Sequence, residues 1–152
     1  LSLQEVGRKK ILLVCGGNTC RSPMARAILE QKLKATGRFD RFAVDSAACN
    51  GPTYSGASTN ARQAIKRLFG QDLLASHKAK KLTPDLVEWA DLILVMGANM
   101  KRGLPPGKTW TLKEYADEAG DIADPFGGDI DVYLGCAKEV SGALEAIVPK
   151  LM

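Results

Sequence analysis

Cys15 and Arg21 stand with five residues between them in the stretch Val14-Cys15-Gly16-Gly17-Asn18-Thr19-Cys20-Arg21-Ser22-Pro23. A thiolate is a strong nucleophile, and a guanidinium is a planar fork that grips two oxygens of a tetrahedral anion. The residues joining them include two glycines, so successive backbone N–H groups can converge on the same oxyanion, as in other glycine-containing anion loops. The loop has no Walker lysine. Its pattern suits attack of sulfur on phosphorus, with the Gly16–Arg21 amides and the Arg21 side chain holding the phosphoryl oxygens as charge spreads over them. The positive field of such a cradle favours the thiolate of Cys15. Ser22, directly after the arginine, can offer its hydroxyl to the sulfur.

A departing group needs a proton. Asp124 is the best source, because Pro125 after it restricts the aspartate backbone to extended shapes and helps hold one carboxylate pose. Asp121, Asp129 and Asp131 are rivals, although Asp129 and Asp131 suit the N-terminal cap of the last helix better. Asn18 tolerates the positive φ that a tight loop requires and can reach Ser46 at the end of the second strand. His77 is the single histidine; by itself it reads as a structural or surface residue, and support of the loop from behind is the alternative. One histidine and scattered cysteines make no zinc set, so neither metal nor cofactor is expected.

These groups need elements that carry them to one place. The apolar residues 10–15 read as a buried first strand ending at Cys15. A helix follows from Arg21 or Ser22 to about Thr36, with Pro23 in its first turn and Gly37 as the stop. Phe42-Ala43-Val44 gives a short second strand ending at Asp45-Ser46. Cys49-Asn50-Gly51-Pro52 is a turn, followed by a loop up to a helix over about Thr59–Phe69 that ends at Gly70. Ser76–Lys80 is a polar connector. Thr83-Pro84 starts a short helix that ends before Asp91. Leu92–Met96 is a third buried strand, Asn99–Leu104 a short helix or turn, and Lys108–Leu112 a weaker fourth strand. Asp117–Gly128 is a long acidic loop. Ile130, Leu134, Ala137, Val140, Leu144 and Ile147 mark a last helix to about Val148. Strands alternating with helices imply an α/β fold, three-layered around one parallel sheet, with ligands at the carboxyl ends of its strands, where Cys15, Ser46 and Met96 all fall.

The chain has 152 residues, 45% of them hydrophobic, which suits a single domain over residues 10–152 after a loose extension over 1–9. The 21 basic and 17 acidic residues are interspersed, giving a net charge of +4. A nucleic-acid face would need a denser basic cluster. No apolar run reaches membrane-spanning length, and the opening LSLQEVGRKK is too polar for a secretory signal. Four cysteines without a CxxC pair do not form a secreted disulfide framework, so a reducing cytoplasm is the expected home.

The pieces CGGNTCRSPMA, VDSA, SHKAKKLT, ADLILVM, TLKEY and DPFGGDID resemble the low-molecular-weight protein tyrosine phosphatase family, from residue 10 to about 145. The resemblance implies a four-stranded parallel sheet flanked by helices and a metal-free, cytoplasmic phosphatase acting on phosphorylated proteins. It makes Cys15 the nucleophile, Arg21 the phosphate clamp, and Asp124 the acid that later activates water. Asn18, Ser22, Ser46 and His77 become the support of the cradle. Cys20 becomes the partner of a reversible disulfide with Cys15 that guards it from deeper oxidation. A monomer is the default.

Thr19 stands where tyrosine-specific members usually carry a bulky aliphatic residue, and Phe126 is followed by Gly127-Gly128 instead of a second aromatic. CxGNTCRSPMA with TLKEY and DPFGG is similar to the bacterial protein-arginine phosphatases. A threonine hydroxyl in the cradle wall suits a guanidinium nitrogen better than a phenyl ring, and Phe126 offers a face for stacking. Gly16 and Cys49–Pro52 depart from the family pattern at the pocket rim. Phosphotyrosine hydrolysis is the alternative activity. Arsenate reduction would need resolving thiols that the later chain lacks, since Cys136 is alone on the last helix. An anion-binding module without turnover would be expected to have lost Cys15, Arg21 or Asp124.

Overall fold

The computed structural model describes residues 7–51 and 55–152. Four parallel strands form one sheet: β1 (Lys9–Cys15), β2 (Phe42–Ala48), β3 (Leu92–Val95) and β4 (Thr109–Thr111), in the order β2-β1-β3-β4. The chain leaves β1 for β2 on one side and then crosses back over β1 to β3. The carboxyl end of β1 therefore lies at the topological switch point, where open α/β sheets bind ligands.

Helices α1 (Arg21–Ala35), α2 (Thr59–Phe69) and α5 (Ile130–Leu151) cover one face, and α3 (Pro84–Trp89) covers the other. The period-2 alternation of β1 divides the core accordingly. Ile11, Leu13 and Cys15 face α1 and α5, whereas Leu12 and Val14 join Ile93, Val95 and the apolar side of α3. Met24, Ile28, Leu29 and Leu33 of α1 are fully buried, each stabilising the fold by roughly 1.5–3 kcal/mol before entropy is counted.

Most boundaries follow local chemistry. Gly70 ends α2 in the left-handed region at φ 73°, and Thr83 caps α3 through its side chain. Four expectations need correction. β2 continues past Ser46 to Ala48, because Ala47 and Ala48 stay in register with Val14 and Cys15 and Ala48 also bridges Lys81 on its outer side. β3 ends at Val95, although the Met96 N–H still bonds to Val14 O. β4 is shorter than Lys108–Leu112, because Thr111 and Glu114 form a reciprocal capping box that starts α4 (Leu112–Tyr115), a helix not anticipated from the sequence. α5 runs to Leu151 through Pro149, its end held by the buried Leu151. The short helix or turn expected over Asn99–Leu104 is a 3-10 helix that begins one residue earlier, Ala98–Lys101. Of the turn and loop expected after Cys49, residues 52–54 lie outside the described residues.

Candidate active site

β1 delivers Cys15 to the switch point, and α1 begins six residues later at Arg21. Helices α2 to α5 are each capped by a side chain, from Ser58, Thr83, Thr111 and Asp129. α1 has no side-chain cap and no acidic residue in its first turn. Its positive end is left to the loop before it.

That loop is turned inside out relative to an ordinary turn. Its carbonyls point away and are tied: Cys15 O accepts from Cys49 N at 2.9 Å, Gly16 O from Asn50 N at 3.0 Å, and Thr19 O from Ser58 N at 2.9 Å. Asn18 O accepts from His77 Nε2 at 2.8 Å. Among the described residues, no protein acceptor takes the N–H groups of Gly17, Asn18, Thr19 or Cys20. A ring of amides around a small space is a nest for an anion.

Asn18 is the keystone. It is fully buried at φ 57°, in the left-handed region that asparagine tolerates. Its Nδ2 donates to Ser22 Oγ at 2.7 Å and to Ser46 Oγ at 3.0 Å, and its Oδ1 accepts from Lys80 N at 3.1 Å. Because Ser22 Oγ receives that bond, its own hydrogen is available to the Cys15 sulfur, 3.0 Å away. Burial pushes the His77 imidazole below its ordinary range, and the nearby Arg26 and Lys80 cations act in the same direction, partly opposed by the bond to Asn18. The ring is therefore neutral near pH 7, and facing a carbonyl it must carry its hydrogen on Nε2.

Arg21 is buried, with 8% of its surface exposed. Its NH1 donates to Ile122 O at 2.8 Å, while its buried Nε has no hydrogen-bond partner among the described residues. Ile122 is itself held by its N–H to Met96 O at the end of β3. An unsatisfied guanidinium N–H in a buried setting is costly unless an anion completes it. Asp124 Oδ2 lies 3.7 Å from Arg21 NH2, with the carboxylate half exposed. Its Oδ1 accepts from Phe126 N at 3.1 Å, which fixes the side chain against its own turn. Cys15, Gly17, Thr19, Cys20, Arg21, Asp124 and Phe126 line one cavity of about 180 Å³. The Phe126 ring is 79% exposed at its mouth.

The rival carboxylates are occupied elsewhere. Asp121 accepts from Ala98 N, Asp129 caps α5 through Val132 N, and Asp131 is exposed in the first turn of that helix. Cys20 lines the cavity but is held by hydroxyls, 3.2 Å from Tyr133 OH and 3.5 Å from Ser58 Oγ. Burial pushes the Cys136 thiol up to about 12, so it stays protonated beneath the Asp124 turn, outside the cavity lining. Burial likewise raises the Cys49 thiol. Gly16 has open space where a side chain would project, so its departure from the resembled pattern reflects no steric need. Sequence reasoning missed the Ile122 carbonyl, Tyr133 and Ser58. A carbonyl leaves no trace in residue type, whereas Ser58 was legible as a cap before Thr59.

A nucleophile, an anion nest, a buried guanidinium and a half-exposed carboxylate around one small cavity define a cysteine-based phosphoryl-transfer site. Residues 10–152 match the family model described as low molecular weight phosphotyrosine protein phosphatase. A protein-arginine-phosphatase of Geobacillus stearothermophilus is 36% identical over 149 residues, covering 93% of this chain and 95% of the relative. A protein-arginine-phosphatase of Bacillus subtilis is 36% identical over 148 residues, with the same coverages. The crystal structure of a low molecular weight protein tyrosine phosphatase from T. tengcongensis superposes with a TM-score of 0.87 at 36% identity, covering 93% of this chain and 99% of that one. The chain belongs to the low-molecular-weight phosphotyrosine protein phosphatase family and is a cysteine-dependent phosphatase.

Proposed function

We propose that the protein hydrolyses phosphoarginine in phosphorylated proteins. The Cys15 thiolate attacks phosphorus while the Gly16–Arg21 amides and the Arg21 fork hold the three remaining oxygens. The P–N bond breaks, and Asp124 gives its proton to the departing guanidine nitrogen. The same carboxylate then takes a proton from water as that water attacks the phosphocysteine, releasing inorganic phosphate and restoring the thiolate. Ser22 stabilises the sulfur as nucleophile and as leaving group. Asn18, Ser46 and His77 keep the loop in shape. Cys20, on the wall of the same cavity, serves as the redox partner of Cys15. The same reading takes the enzyme as a cytoplasmic monomer whose single domain spans residues 10–152.

The observation that carries the arginine preference is the cavity lining. Thr19 puts a hydroxyl-bearing side chain in the wall, and Phe126 holds a flat ring at the mouth beside Asp124. A guanidinium can bond the first and stack on the second. The arginine phosphatases of Geobacillus and Bacillus support this reading. Phosphotyrosine is the second reading, favoured by the T. tengcongensis likeness. Initial rates on matched phosphoarginine and phosphotyrosine peptides test the choice. Phosphoarginine is turned over faster, and Thr19→Ile shifts the rate ratio toward phosphotyrosine. A wild-type preference for phosphotyrosine overturns the arginine assignment, and an unchanged ratio in the variant removes Thr19 as selector.

A further inference from the structure

The turn that carries Asp124 and Phe126 closes on itself. Pro125 O accepts from Gly128 N at 2.8 Å, with Gly127 at φ 84°. Gly128 has no room for a side chain, since a Cβ there would lie 2.7 Å from Val132 Cγ1 and 3.0 Å from Pro125 O. The turn is thus closed by its own hydrogen bond and packed against α5 at Gly128. Among the described residues, one hydrogen bond ties residues 124–128 to an element other than α5. Asn60 Nδ2, in the first turn of α2, donates to Gly128 O at 3.2 Å. The same helix start braces the opposite wall of the cavity, where Ser58 N–H holds Thr19 O and Ser58 Oγ accepts from the Cys20 thiol. The start of α2 thus spans the gap between the anion loop and the acid-bearing turn.

We propose that Asn60 is a positioning residue for proton transfer: its amide fixes the distance between the Asp124 turn and the cradle, so that the carboxyl meets the departing atom as the bond to phosphorus breaks. The inference rests on the reading of Asp124 as the acid. Arg21 attracts the Asp124 carboxylate from 3.7 Å, but with the carboxylate 56% exposed and no hydrogen bond at that separation the attraction gives the turn little direction. The Asn60 bond supplies direction that this attraction lacks. A displacement of about 1 Å at a reacting group is enough to cost large factors in rate.

Single-turnover formation of phosphocysteine on aryl phosphates tests this, because a good leaving group departs without a proton and a poor one does not. Asn60→Ala is well chosen for folding, since alanine favours a helix more than asparagine does. Asn60→Ala is expected to slow the phosphorylation step about tenfold with phenyl phosphate and less than about twofold with 2,4-dinitrophenyl phosphate, with thermal stability unchanged or raised. Asn60→Gln, which keeps a donor on a longer arm, recovers part of the loss. An equal fall with both substrates, or none with either, overturns the positioning role. Asp124→Ala serves as reference and is expected to show the same leaving-group dependence more strongly. If Asp124→Ala shows none, the acid assignment itself falls and the role of Asn60 with it. If it shows the dependence and Asn60→Ala does not, the role of Asn60 alone is lost.

Discussion

Ser22 sits between the asparagine that orients it and the sulfur it serves, with contacts of 2.7 and 3.0 Å. A hydrogen bond to an ionised group contributes about 1.5–3 kcal/mol, so Ser22→Ala is expected to lower kcat roughly 10–100-fold with a smaller change in KM. Steady-state kinetics on one phosphorylated substrate decides it, and an unchanged kcat would show that the hydroxyl does not act on the sulfur. His77 gives a different test at the same scale. Its folded-state pKa lies below the ordinary histidine value of 6.5, chiefly through burial. On acidification the unfolded chain takes up this proton first, so stability falls as pH drops below about 6.5 toward the lower folded value. Urea unfolding at pH 7.5 and 5.5 should show a smaller acid loss in His77→Gln, where the side-chain amide can still donate to Asn18 O. Equal losses in both proteins would remove His77 from the acid response.

At the scale of elements, the caps explain both what sequence reasoning reached and what it passed over. Thr83-Pro84 announced α3, and Gly70 announced the end of α2. Thr111–Glu114 carries an equally clear S/T-x-x-E signature, yet Trp110 and Leu112 beside it read as strand, and a four-residue helix has too little periodicity to compete. The box is a local device with a local price. Thr111→Ala is expected to destabilise the protein by about 1 kcal/mol, seen as a lower urea midpoint at unchanged m-value. A midpoint equal to wild type would mean that neighbouring contacts, not the cap, hold α4. The strand run Leu92–Val95 and the spacing of α5 were legible because burial on the sheet and along one helix face leaves a strong pattern. The site was legible in its reactive side chains and in the amides of its glycine-containing loop. Cys15, Arg21 and Asp124 announce chemistry by type, whereas the Ile122 carbonyl and the Asn60 strut depend on residues about 100 and 70 positions from their partners, which no local window joins.

Across the whole molecule, the cradle is a charged gap in a compact fold. The buried Arg21 Nε has no partner and the loop amides face no protein acceptor among the described residues, so an oxyanion bound there would favour the folded chain over the unfolded one. Inorganic phosphate at 100 times its dissociation constant is expected to add about 2.7 kcal/mol of stability to wild type and far less to Arg21→Ala. Thermal unfolding with and without phosphate measures the difference, and an equal gain in both proteins would place the anion elsewhere. The knot behind the loop also sets an order of events. Asn18 gathers Ser22, Ser46 and the Lys80 N–H at separations of 4, 28 and 62 residues. The two longer closures require β2 beside β1 and the segment around Lys80 beside the outer edge of β2. The anion loop therefore takes its shape from chain as far away as Lys80, and a fragment that stops short of that residue lacks the N–H that completes the Asn18 knot.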